Sequence, residues 1–186
     1  MKKTIFKAES RGEADYGWLK THYSFSFANY YNPQCINFGA LRVLNDDIIE
    51  GGKGFPMHPH DNMEIITIPL EGALAHQDSM GSSSVIKAGD IQIMSAGSGI
   101  IHSEFNHSRD KEVSLLQIWI FPRTKNIKPR YDQKSYKSED YKEQLKCVVA
   151  PALKNGELLI NQDAWLSMGE FSEKKSVKFE LQNKSN

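Results

Sequence analysis

Turn signals recur about every ten residues through the first two thirds of the chain, a spacing typical of sandwiches and barrels built from short strands. Between them lie short runs rich in Ile, Val, Leu and aromatics. "FGALRVL" (38–44), "MEIITIPL" (63–70), "DIQIMSA" (90–96) and "VSLLQIWIF" (113–121) read as strands. "NDD" at 45–47, "EGGKG" at 50–54, "EG" at 71–72, "MGSSS" at 80–84, "KAGD" at 87–90 and "SAGSG" at 95–99 read as turns. The prediction is an all-β chain. Helical periodicity is scarce, and "KSEDYKEQL" (137–145) is the single short helix expected.

From Cys147 onward "KCVVAPAL", "GELLINQDAWLSMGEF" and "SVKFEL" also read as strands. A second barrel of eight strands with ordinary loops needs roughly 80–90 residues. Only 40 residues run from Cys147 to the end. Either these strands lean on the first domain or a second barrel is incomplete. The division expected is residues 1–122 as a first barrel, 123–146 as a basic connecting segment and 147–186 as a partial second domain.

Charge supports a globular reading and excludes some partners. The 186 residues carry 23 basic and 23 acidic side chains, with 39% apolar and 25% charged residues, so nothing resembles a phosphate-backbone binder. Residues 1–120 have a net charge of −4 and residues 121–146 a net of +4. The basic stretch reads as a solvated connector rather than a polyanion site. Cys35 and Cys147 form no CxxC pair, which suits a reducing cytoplasm. "MKKTIFKAES" has no apolar stretch after its basic start, so no secretory signal is expected. No apolar run is long enough to span a membrane.

The chemistry lies in the histidines. "GFPMHPHDNME" places His58 and His60 one residue apart, with Glu64 four residues on, and "GSGIIHSEFNH" contains His102 and Glu104. Side chains two apart on a strand share a face. Two strands that neighbour or face each other could therefore bring His58, His60, His102 and Glu104 to one point. Three imidazoles and a carboxylate suit a divalent first-row metal. Each motif alone reads more simply as a solvated turn or a satisfied core residue; their pairing, with a glycine-rich turn before each, favours the metal. Gly51, Gly52 and Gly54 are expected to permit tight bends. A phosphate-cradling loop is excluded, because no Gly-Lys-Ser/Thr follows and Pro56 and Pro59 favour extended backbone. His76 is expected to pair with Asp78, and His22 and His107 to lie at the surface or in loops.

Four segments carry a family resemblance: "RGEADYGWLKTHYSFSFANYYNP", "GFPMHPHDNMEIITIPLEGALAHQDSMG", "IQIMSAGSGIIHSEFN" and "QIWIFPRTKNIKPRYDQ". The chain resembles bacterial pirin-like proteins of the cupin superfamily, similar to pirin-type quercetin 2,3-dioxygenases, from about residue 8 to at least 135. The resemblance implies a cupin fold (a double-stranded β-helix, or jelly-roll-like barrel) in a bicupin arrangement. Only the first barrel would carry metal, and the second would be cut short here. It also implies a metal held by His58, His60, His102 and Glu104. Fe(II) is the first expectation, with Cu, Ni, Mn, Co or Zn as alternatives. A general cupin would use the carboxylate at Glu64 as ligand; pirin-like proteins use the one matching Glu104.

The activity implied is cleavage of a flavonol with O2 and release of carbon monoxide. A Lewis-acidic metal would acidify the 3-hydroxyl, and Glu104 or Glu64 would take its proton. Phe55, Met57, Met63, Ile93 and Phe105 are candidates for an apolar substrate wall. The alternative is a non-enzymatic, iron-binding redox sensor that acts on a protein partner, with 123–146 as the first docking face. A cupin sugar isomerase fits the surrounding motifs less well. Neither nucleic acid nor membrane is an expected partner.

Overall fold

The computed structural model describes residues 4–173 and 175–179. Apart from a 3-10 turn at Ala8–Ser10 and the one-turn helix α1 (Ser138–Tyr141), every regular element among them is a strand. No helix of the described residues is long and apolar enough to cross a membrane.

The largest sheet takes strands from across the chain: β1 (Gly12–Asp15), β2 (Leu19–Tyr23), β3 (Leu41–Ile49), then β5 (Glu64–Glu71), β8 (Asp90–Ser95), β10 (Val113–Ile120) and β11 (Arg130–Ser135). A smaller sheet holds β4 (Gly54–His60), β6 (Ala73–Asp78), β7 (Ser83–Lys87) and β9 (Ile100–Asn106). The spatial orders are β1-β2-β3-β10-β5-β8-β11 and β4-β9-β6-β7. All their pairings are antiparallel. Consecutive strands repeatedly cross from one sheet to the other, as in a jelly roll. A third layer, β12 (Lys146–Ala150), β13 (Leu158–Leu159) and β14 (Leu166–Met168), packs on the outside of the seven-stranded sheet.

Side-chain alternation sorts the strands into two faces. On β5, Ile66 points outward and joins Ile91, Ile93, Ile118, Val148, Val149, Leu158 and Ile160 under the third layer. Ile65 points inward with Met94, Ala96 and Ile100. A second inner cluster, Leu19, Ile49, Leu74, Ile86, Val113 and Leu115, fills the other end. Each fully buried aliphatic side chain in these clusters contributes about 1.5–3 kcal/mol. Between the two inner clusters the same faces turn polar. Asn45, Gln117, Thr67, Gln92 and Gln133 stand in one register row across β3, β10, β5, β8 and β11.

That polar band explains two differences from the sequence reading. "NDD" (45–47) is no turn: β3 runs through it, and Asn45 and Asp47 are buried on the inner face. Residues 130–135, inside the basic connector, form the edge strand β11 paired with β8. Its Arg130 and Lys134 reach the third layer, donating to the carbonyls of Leu159 and Gly156, while Gln133 turns inward to Asp90 and the Val85 carbonyl. A charged edge strand is hard to tell from a solvated linker by composition. Of the predicted "SVKFEL" strand, 176–179 are not regular and the rest lies outside the described residues.

The glycines before β4 act through space as much as through φ. Gly52 has φ +68°, but a Cβ on Gly54 would stand 2.2 Å from the Glu104 carbonyl oxygen. Gly54 thus permits the close approach of β4 to β9.

Candidate metal centre

β4 and β9 are antiparallel neighbours, with His58 opposite His102 and His60 opposite Ile100. The register shifts between Phe55 and His58, so one extra residue is accommodated on β4 around Pro56, which cannot donate to the ladder. Because side chains alternate, that extra residue decides which face the histidines take. With it, His58 and His60 share the inner face with His102 and Glu104, and Met57 is left exposed.

The ring centroids of His58, His60 and His102 lie 4.4–4.9 Å apart. One ring nitrogen from each falls within 4.8 Å of the others. Nitrogens bound to one ion at about 2.1 Å are at most about 4.2 Å apart. The rings therefore stand at, or within about 0.6 Å of, chelating distance. The Nε2 atoms of His60 and His102 are buried with no hydrogen-bond partner, a costly state unless something else binds them. His58 Nδ1 lies 2.8 Å from the Pro56 carbonyl oxygen; donation there leaves Nε2 as the free lone pair. Burial, then the charge on His58, lowers His60 to about 4. Burial followed by His58, His60 and His76 lowers His102 to about 3. Both rings are neutral at pH 7, the form that binds a cation. The donor set and its unpartnered nitrogens fit a divalent metal.

Glu104 is buried opposite this group. Gln117 Nε2 donates to its two oxygens at 3.1 and 2.9 Å, and Thr67 Oγ1 donates at 3.2 Å. Burial raises its pKa, and the Gln117 bonds oppose the rise. Glu104 joins His76 and His102 in a second, overlapping group of candidate ligands. The four predicted ligands thus share one interior, with His102 common to both groups.

Glu64 requires a correction as a catalytic candidate. It begins β5, on the face opposite Thr67, and accepts from Ser95 Oγ at 2.8 Å and the Asn161 amide at 3.1 Å, with Arg130 at 3.9 Å. Those partners lie toward the third layer, away from the histidines. Counting parity from His58 through Glu64 fails because the chain turns at Asn62, φ +45°, and begins another strand in another sheet. Burial raises the Glu64 pKa, opposed by these bonds; its role is to clasp the outer layer.

His76 pairs with Asp78 as expected, at 3.1 Å. His107 is exposed and His22 half-buried on β2. Of the proposed apolar wall, Phe55 lies beside His58 and Met63 packs in the inner cluster, while Met57 and Phe105 are exposed and Ile93 faces the third layer. Sequence reasoning missed Trp119, whose ring lies 4.8 Å from that of His60, and Tyr131, 4.7 Å from His76. It also missed the bonds of Gln117 and Thr67 to Glu104; the available signal was a glutamine interrupting the apolar run "VSLLQIWI". A cleft of about 620 Å³ opens beside His60, lined by Pro59, Asp61, Ser79, Ser98, Gly99 and Ile100 among others.

Comparison with known proteins adds independent findings. The Pirin family model matches residues 5–120. A quercetin 2,3-dioxygenase of Escherichia coli K12 is 50% identical over 157 residues, 84% of this chain and 67% of the relative. A pirin-like protein of Caulobacter vibrioides is 49% identical over 129 residues, 69% of this chain and 55% of the relative. Among solved structures, the bacterial pirin YhhW of Escherichia coli in complex with nickel(II) aligns with a TM-score of 0.80 at 48% identity. That alignment covers 84% of this chain and 66% of the other. The chain thus spans about two thirds of the length of the Escherichia coli relative (67%).

Proposed function

The chain belongs to the pirin family, and on that premise we propose that it is a metal-dependent dioxygenase able to cleave flavonols, with His58, His60, His102 and Glu104 as the metal ligands. The observation that carries this reading is the convergence of three imidazoles, two of them neutral with buried, unpartnered Nε2 atoms, beside a cleft that His60 lines. A divalent ion held there, Fe(II) first and Ni(II) next, supplies Lewis acidity toward a substrate hydroxyl and a centre for O2 chemistry. The residues do the rest. The cleft admits a small aromatic molecule, its volume lying in the ordinary range for such sites. Ile100 and Ile101 give it apolar surface. Glu104, held by Gln117 and Thr67, is the carboxylate we assign to receive a substrate proton. Residues 147–186 are read as part of a second cupin unit without metal, a reading supported by the absence of any histidine after His107.

The test is aerobic incubation of the Fe(II)- or Ni(II)-loaded protein with quercetin, following loss of the flavonol absorbance. Turnover that vanishes in His58→Ala is expected. Full metal occupancy with no turnover for any first-row divalent ion would contradict the enzyme reading and favour a redox-sensing protein.

The two carboxylates give a second prediction. Glu104→Gln removes an anionic ligand and should lower bound metal sharply in elemental analysis. Glu64→Gln should leave metal content unchanged, since its partners Ser95 and Asn161 lie toward the third layer. The reverse pattern would overturn the assignment.

A further inference from the structure

Asp78 and His76 extend the metal site inward in a way that the ligand assignment does not require. Asp78 Oδ2 lies 3.1 Å from His76 Nε2, with both side chains fully buried. His76 Nδ1 in turn lies 3.5 Å from His102 Nδ1, a long hydrogen bond. The register sets this up, with Asp78 opposite His102 and His76 opposite Glu104 on β6 and β9. Asp78 is itself fixed, because its Oδ1 accepts the Met80 and Ser82 amides at 2.8 and 3.0 Å. The Tyr131 ring, tilted by 31°, packs against His76.

With one proton on each ring, the polarity of this chain has one solution. An ionised carboxylate only accepts, and burial, outweighed by bonds from His76, Ser82 and Met80, leaves Asp78 with a lowered pKa. With a single proton on its ring, His76 donates from Nε2 to Asp78 Oδ2, and its Nδ1 carries a lone pair. A lone pair facing His102 Nδ1 calls for N–H there, which leaves His102 Nε2 bare. That atom is one of the two buried ring nitrogens without a partner.

We propose that Asp78 and His76 form a two-step tautomer relay that holds His102 with its Nε2 lone pair presented to the metal, so that both are positioning residues of the site. The relay rests on the metal reading above. The Pro56 carbonyl does the same for His58 in one step. The relay also argues against a separate ion between His76, His102 and Glu104, since the His102 nitrogen facing His76 carries a proton.

Long-range 1H–15N NMR on the metal-free protein reads the tautomers directly. His76 should be the Nε2–H form and His102 the Nδ1–H form; either in the opposite form overturns the relay. Titration with Ni(II) provides the second arm. Asp78→Asn keeps the Oδ1 acceptor for Met80 and Ser82 but turns an N–H toward His76, reversing the polarity of the chain. It should lower Ni(II) affinity about 10–100-fold, as loss of an outer-shell partner does. In a His76→Gln background the amide can orient either way, so adding Asp78→Asn should change affinity by less than about threefold, a strongly non-additive pair. Unchanged affinity in Asp78→Asn, the same fall in both backgrounds, or a second equivalent of Ni(II) lost in His76→Gln would overturn the proposal. If the unmodified protein takes up no Ni(II), the metal reading fails while the NMR arm still decides the relay.

Discussion

His102→Ala should lower Ni(II) affinity by at least about 100-fold, more than the range for loss of an outer-shell partner, and isothermal titration of the metal-free protein measures it. His102 is the one residue common to both groups of candidate ligands. Its ring stands 4.4 Å from His58 and 4.9 Å from His60, so without it two imidazoles remain on a single strand. The fold should tolerate the change, because His102 lies outside all three apolar clusters and its Nε2 has no protein partner to lose. A variant that melts near the unmodified protein and still binds Ni(II) within a few-fold would remove His102 from the site.

Asp47→Asn should raise the stability of the metal-free protein at pH 8. Asp47 is buried on the inner face of β3, and burial pushes its pKa from 3.8 up to about 7, with the nearby Thr21 hydroxyl opposing the rise and Glu104 and Asp46 adding to it. Below pH 3.8 the carboxyl is protonated in both folded and unfolded chains and costs nothing. Between 3.8 and about 7 the unfolded chain ionises and the folded one does not, so stability falls as pH rises; above about 7 the loss is complete. A gap of about three pKa units corresponds to at most about 4 kcal/mol. Asparagine has the same shape without the charge. Urea unfolding at pH 8 should show a gain of up to that size, shrinking toward zero as pH approaches 4. Equal stability of the two proteins at pH 8 would mean that the carboxylate ionises in the fold without penalty.

The strand-rich pattern and the clustering of the HxH and HxE pairs were legible in the sequence because both follow the period of two. What was not legible was the polar interior. A strand whose inner face is lined with Asn45 and Asp47 looks like a turn, and one carrying Arg130 and Lys134 looks like a linker, because composition records the residue and not the face. The placement of Glu64 turned on Asn62, where the chain leaves one sheet for another, and alternation cannot be counted across such a turn. The extra residue at Pro56 and Met57 is the opposite case: a local irregularity put His58 and His60 on the face where the HxH spacing needed them. His76 shows the limit of pairwise reading. Its partner Asp78 was predictable two residues along the strand, but its contact with His102 depends on the register of β6 against β9, which no local pattern encodes.

The central claim is that His58, His60 and His102 meet at one ion. The most direct measurement is an anomalous difference map from crystals of the protein grown with Ni(II), collected at the nickel edge. One strong peak about 2.0–2.2 Å from a ring nitrogen of each histidine, a distance usual for imidazole ligands, is the predicted result. A peak elsewhere in the barrel, or none among these three rings at full nickel supply, would contradict it.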